Sequence, residues 1–140
     1  REDYDQIHKE KEFYLKIEDA YLYGIIDRVN IKNGAAEILD FKTNRVHNKY
    51  ELLEYYQPQL QLYTYAFKKI TNMKVKRAAI LFLETGHLEE IDISERSLQK
   101  IYEELEEFVN FVNKNNSIHQ YSKGDSCKGN CKYSILCNLH

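Results

Sequence analysis

Apolar and polar residues recur at two different periods along this chain, and the change of period marks out its elements. From Glu12 to Glu18 (E-F-Y-L-K-I-E) the apolar side chains fall on alternate positions, the period of a strand with one face buried. Tyr21 to Ile31 reads as a second strand and Ala36 to Thr43 as a third. Lys32-Asn33-Gly34 joins the last two, and an Asn-Gly pair favours a tight hairpin because both residues tolerate positive φ. Arg1 to Glu12 is densely charged and reads as a frayed lead-in.

The period then lengthens. Tyr50 to Ile70 has helical spacing, interrupted by Pro58. Proline lacks an N–H and has a preset φ, so a helix starting at Pro58 is favoured over one kinked there. Val75 to Glu84 is an apolar strand closed by Thr85-Gly86, and Leu88 to Ile93 alternates as a shorter one. Ser94 is the expected N-cap of a helix running to about Asn115, with Leu98, Ile101, Leu105, Phe108 and Val112 on one face. From Ser122 the chain is polar and carries glycine and cysteine. Three strands, a helix, a strand and a helix predict an α/β domain, a mixed central sheet flanked by helices, over residues 1–121, followed by a tail over 122–140.

Composition narrows the class. The chain has 140 residues, enough for one domain with its own core, with 43% hydrophobic and 30% charged residues. Its longest apolar run, Ala78 to Leu83, is far short of the ~20 residues of a membrane helix, so no membrane role is expected. The first residue is Arg1, not Met, which reads as the start of an excised fragment. A net charge of −2 excludes a strongly basic nucleic-acid grip, although an acidic metal site would mask basic contacts elsewhere. Twelve tyrosines and no tryptophan leave rings that either line a half-wet groove or fill core edges. The three cysteines, Cys127, Cys131 and Cys137, are an odd number packed too closely for a disulfide framework, so a metal is their expected partner.

The candidate chemistry lies on the third strand, in I-L-D-F-K-T. Alternation puts Asp40 and Lys42 on one face and turns Phe41 the other way, toward the core. A lone D-x-K is usually a surface ion pair, but this is the sole acidic-x-Lys triplet in the chain. Asp27, in G-I-I-D-R-V on the neighbouring hairpin strand, has Ile25, Ile26 and Val29 around it, where an acid is costly unless it binds something. A short hairpin would bring Asp27 near Asp40. Two carboxylates beside a lysine make a site for a hard divalent cation that takes its remaining ligands from phosphate and water. On a helix, Gln59 and Tyr63 share a face at i, i+4, and so do Gln61 and Tyr65; spacing alone does not choose between the pairs. His8, His47, His87 and His119 have no partners at ligand spacing and read as surface histidines. Gly124 to Gly129 has the skeleton of a phosphate loop without its Lys-Ser/Thr, so no nucleotide site is expected. Arg28, Arg45, Lys49, Lys128 and Lys132 are candidates for phosphate contacts or plain solvated charge.

G-I-I-D-R-V, I-L-D-F-K-T and Q-P-Q-L-Q-L-Y-T-Y-A-F, in that order, resemble the successive motifs of RecB-type nucleases in the PD-(D/E)XK superfamily, above all the nuclease domains of AddA- and AddB-like helicase–nucleases. The resemblance runs from about Phe13 to Cys137. It implies a restriction-endonuclease-like core truncated at its N-terminal helix, and a cytoplasmic enzyme that cuts DNA with magnesium or manganese beside a helicase domain or subunit. It also implies that Asp27, Asp40 and the Phe41 carbonyl hold metal, that Lys42 is catalytic, and that Gln59 and Tyr63 are the family's Q-x-x-x-Y pair. The family's further acidic or histidine residue on an upstream helix has no counterpart here, unless Glu12 or Glu18 substitutes. C-K-G-N-C-K-Y-S-I-L-C resembles the tail of members with a [4Fe–4S] cluster, whose fourth cysteine lies upstream. Its middle spacing is C-x3-C where the family has C-x2-C. Zinc held by the three thiolates and His140 is the alternative. A nuclease of the CRISPR-adaptation type, a degenerate domain that only binds DNA and a structural module that scaffolds a helicase are rival readings.

Overall fold

A computed structural model describes residues 4–43 and 52–115. Five strands form one sheet in the order β1-β2-β3-β4-β5. They are β1 (Gln6–Ile17), β2 (Ala20–Lys32), β3 (Ala35–Lys42), β4 (Lys74–Phe82) and β5 (His87–Glu90). All neighbours are antiparallel except β3 and β4, which run parallel. Parallel neighbours need a crossover, and helix α1 (Gln57–Thr71) supplies it. A second helix, α2 (Glu95–Asn115), packs on α1. The α/β fold expected from the periodicity is therefore present, as a mixed five-stranded sheet with two helices.

Local chemistry accounts for most boundaries. The β2–β3 turn has Asn33 at φ 53° and Gly34 at φ 79°, the positive pair that matches strand twist across a two-residue hairpin. Ser94 caps α2: its Oγ accepts the Ser97 N–H at 3.3 Å, and Asp92 accepts the Ser97 hydroxyl at 2.6 Å and the Ser94 N–H at 2.9 Å. Those bonds hold the Asp92 carboxyl below its ordinary pKa. Asn72, in the left-handed conformation, closes α1 by donating its N–H to the Lys68 carbonyl. The α-helix begins at Gln57, one residue before Pro58, and a wide π-turn over Leu52–Tyr56 precedes it. Proline cannot donate to the carbonyl four residues back, so a regular α-turn is not available there.

One expectation fails at the start of the chain. From Gln6 onward the charged lead-in is not frayed: β1 begins there, and Gln6 to Lys9 pair with Ile31 to Arg28. Its side chains are mostly exposed because β1 is an edge strand, where Lys and Glu are at home. The shorter fifth strand ends at Glu90, since Asp92 has left the ladder to cap α2.

The core lies between the sheet and the helices. Ile38, Val29 and Ile80 from the sheet meet Leu60, Tyr63 and Phe67 of α1, with Ile101 and Leu105 of α2. Ile38 and Asp40 alternate onto the same face of β3, so the core is on the Asp40–Lys42 face. Phe41 thus points away from the core, contrary to expectation. It is half-buried on the opposite face, with the Arg28 guanidinium 5.4 Å from its ring centroid.

Candidate active site

The pairing pattern creates a fork. β2 pairs with β3 only from Arg28 to Lys32, yet its ladder with β1 continues to Ala20. Beyond Arg28 the β1–β2 hairpin is a two-stranded ribbon diverging from β3. Asp27 and Asp40 stand at the vertex, one step past the last β2–β3 pair, Arg28–Leu39. The β1–β2 ladder passes from Lys9–Arg28 to Lys11–Ile26 without pairing Glu10 and Asp27, and Glu10 sits at φ 51°. The core positions of β2 change parity across this irregularity, from Gly24 and Ile26 to Val29 and Ile31. That shift gives Asp27 the parity of Val29, hence the face of Asp40. Irregularities of this kind re-aim side chains near functional sites.

Each carboxylate is held differently. Asp27 Oδ2 accepts the Phe41 N–H at 2.8 Å, tying the open end of β3 to β2 and leaving the other oxygen free of that bond. Asp40 is largely enclosed, with 14% of its side chain accessible, and its Oδ2 lies 3.1 Å from Lys42 Nζ. Burial, together with a hydrogen bond to the adjacent Asp27 and its charge, pushes the Asp40 carboxyl up to about 6 against the attraction of Lys42. Two carboxyl groups therefore share a low-dielectric corner with one ammonium. A cation between them would relieve the repulsion. Lys42 Nζ also stands 5.0 Å from the Tyr56 ring centroid, a cation–π contact that fixes the ammonium at the mouth of the fork.

Helix α1 presents its first two turns to this corner. Gln59 Nε2 lies 3.4 Å from Tyr63 Oη. Burial raises the Tyr63 phenol, as do the charges of Asp40 and Asp27, so the ring is within electrostatic reach of both carboxylates. Gln61 and Tyr65 go elsewhere: Gln61 donates to the Asp92 carbonyl at 2.8 Å, and Tyr65 stacks on Tyr102 of α2 at 4.6 Å. Of the two pairs with equal spacing, the structure brings Gln59 and Tyr63 to the fork. Gly24 explains how Tyr63 comes so close: a Cβ there would lie 2.6 Å from the Phe13 ring and 3.1 Å from Tyr63.

A recess of about 330 Å³ opens beside Lys42, lined by Tyr55, Tyr56 and Gln59 as well. Sequence reasoning missed both tyrosines. Their only signal was two consecutive tyrosines just ahead of the Q-P step, because the π-turn that aims them leaves no periodic trace.

Among the described residues no three His, Cys, Asp or Glu side chains cluster at metal-binding distance. The fork offers two carboxylates, with the Phe41 carbonyl adjoining. That set suits magnesium or manganese, which use one or two carboxylates and keep positions for water and phosphate, better than a closed structural site. Arg28 lies against Phe41 and not in the fork. His8 bonds to Gln6, and His87 pairs with Glu89 and stacks on Phe82. Glu12 and Glu18 are exposed on the ribbon. Arg45, Lys49, Lys128, Lys132, Cys127, Cys131, Cys137 and His140 fall outside the described residues, as do His47 and His119.

Comparison with known proteins gives the lineage of this arrangement. A family model described as the PD-(D/E)XK nuclease superfamily matches residues 1–138. An ATP-dependent helicase/nuclease subunit of Bacillus licheniformis is 33% identical over 91 residues, which are 56% of this chain and 7% of that protein. Its namesake in Listeria welshimeri is 28% identical over 111 residues, 65% of this chain and 9% of the relative. The chain thus spans less than a tenth of the length of either relative. The crystal structure of SSO0001 aligns with 95% of this chain and 60% of its own at 17% identity, with a TM-score of 0.45.

Proposed function

The chain belongs to the PD-(D/E)XK nuclease superfamily, and from that premise we propose that it hydrolyses DNA phosphodiester bonds at the fork between β2 and β3. The observation that carries this reading is the convergence of Asp27, Asp40 and Lys42 there, with Lys42 Nζ 3.1 Å from Asp40. A pair of acids kept so close in a buried corner costs stability, and a fold retains such a cost where the pair has a task.

Asp27, Asp40 and the Phe41 carbonyl would hold magnesium or manganese, which when bound polarises the scissile phosphate and acidifies a water. The residues divide the remaining work. Lys42 orients the attacking water or meets the negative charge that develops on the phosphoryl oxygens. Tyr56 restrains its ammonium by the cation–π contact. Gln59 and Tyr63 face the same corner, where the amide N–H and the phenol O–H can donate to a phosphate oxygen. Asp27 does double duty, since its bond to the Phe41 N–H also sets where the Phe41 carbonyl lies.

The larger setting is part of the proposal. The two helicase/nuclease relatives support a protein in which this domain cuts strands delivered by a helicase domain or subunit, and break repair is the process we propose for it. Cys127, Cys131 and Cys137 would complete a [4Fe–4S] site with a thiolate from outside this stretch of chain, with zinc on the three cysteines and His140 as the alternative. The test is manganese-dependent cleavage of a labelled DNA by the intact protein without ATP. Asp40→Ala and Lys42→Ala should each abolish cleavage and leave DNA binding in place. A fully active Lys42→Ala protein would sink the assignment, and binding without cleavage by the wild type would favour the degenerate reading.

A further inference from the structure

Resting on that hydrolytic reading, we propose that the recess beside Lys42 receives the nucleobase next to the scissile phosphate, with the Tyr55 ring as the surface on which it stacks. The recess has a volume of about 330 Å³, and its described lining is Lys42, Tyr55, Tyr56 and Gln59. Lys42 belongs both to the fork and to the recess, so the recess continues the site and is not a separate surface. Its chemistry changes from end to end as a nucleotide's does. An ammonium stands at the fork end, where the phosphate is held. Two flat rings and an amide follow, with no carboxylate among the described lining residues. Sites for small ligands span about 300–1,000 Å³, and this one is at the lower end, with room for one base and its sugar and none for duplex.

The two tyrosines have different tasks. Tyr56 is engaged on both sides, with Lys42 Nζ 5.0 Å from its ring centroid and the Phe82 ring 6.4 Å away at 61°. Tyr55 lines the recess yet is 52% exposed. Among the described residues its side chain has no ring, hydrogen-bond or ion-pair partner, so its face is open to a base. The π-turn over Leu52–Tyr56 explains how consecutive residues reach one recess, since a wider turn splays successive side chains less. Such turns recur at functional sites. Gln59 spends its N–H on Tyr63 at 3.4 Å, which leaves the amide oxygen for a donor on a base edge. Every base has a π-face, so stacking on Tyr55 selects for an unstacked base and for no particular sequence. A base lodged in the recess has left its own stack, and the fitting substrate is therefore a single strand.

The experiment compares wild type with Tyr55→Ala in the intact protein, with manganese and without ATP, on two strands of equal length. One is an oligothymidylate, and the other is built wholly of abasic sites. Loss of stacking predicts a fall of about tenfold in kcat/KM for Tyr55→Ala on oligothymidylate. On the abasic strand variant and wild type should be equal, which also shows that the variant's fork is intact. Tyr55→Phe keeps the ring and should match wild type on both strands. The salt dependence of KM should not move, because no phosphate contact is removed. Equal kcat/KM for wild type and Tyr55→Ala on oligothymidylate overturns this proposal alone. So does an equal loss on both strands, which would give Tyr55 a structural role only. A wild type that cleaves neither strand overturns the hydrolytic reading and this proposal with it.

Discussion

Replacing Asp40 by asparagine should destroy the proposed activity and at the same time stabilise the metal-free fold. The Asp40 carboxyl is pushed from 3.8 up to about 6 by burial and by Asp27, with Lys42 pulling the other way. A folded-state pKa above the unfolded one means that protonation favours folding. The associated stability is fully present below pH 3.8 and is lost as pH rises through about 6. A shift of about two units corresponds to roughly 3 kcal/mol of strain in the charged state. Because 14% of the side chain remains accessible, some of that is screened, and about 2 kcal/mol is a sounder expectation. Asparagine keeps the shape, removes the charge, and can donate from its amide to Asp27. Thermal unfolding in a chelator at pH 7.5 should therefore show Asp40→Asn melting about 6 °C above wild type. The gap should close progressively below pH 6 and vanish near pH 4. Added manganese should raise the Tm of wild type and leave the variant unchanged. A variant less stable than wild type at pH 7.5, or a difference that does not depend on pH, would refute the idea that the two carboxyl groups oppose each other.

Other consequences can be checked independently. Affinity for manganese should fall about tenfold per unit below pH 6, since protons compete for Asp40; titration calorimetry between pH 5 and 8 reads this directly. Gly24→Ala should cost about 1–3 kcal/mol in thermal or denaturant unfolding and lower activity, because its Cβ would intrude on Phe13 and displace Tyr63. Tyr56→Leu keeps an apolar body but removes the ring beside Lys42, and should lower kcat severalfold with little change in Tm. The intact protein, purified without oxygen, should contain iron that is lost on Cys137→Ala; stoichiometric zinc would instead support the His140 alternative.

Much of the fold could be read where one chemical feature dictates one local outcome. Asn33-Gly34 specified its hairpin, and Ser94 its helix start, since each needs only its immediate neighbours. Gln6 to Lys9 carried no such signal: an edge strand with mostly exposed side chains shows no alternation, so its pairing with β2 is a tertiary fact. Alternation placed Asp40 and Phe41 on opposite faces but could not say which face is covered. That depends on where α1 lies, and the placement of Phe41 in the core was wrong for that reason. Asp27 was conspicuous as an acid among isoleucines, although a strict period of two would not have given it the face of Asp40; the irregularity opposite Glu10 does that. Gln59–Tyr63 and Gln61–Tyr65 were equivalent in sequence and are separated only by what each pair meets in space.

The most direct test of the account is the position of a divalent ion in crystals of the protein grown with manganese and a non-cleavable DNA strand. Anomalous scattering should give a peak between Asp27 and Asp40, about 2.1 Å from an oxygen of each, with a phosphate oxygen completing the shell. A manganese peak elsewhere in the molecule, with DNA bound and the fork empty, would contradict it.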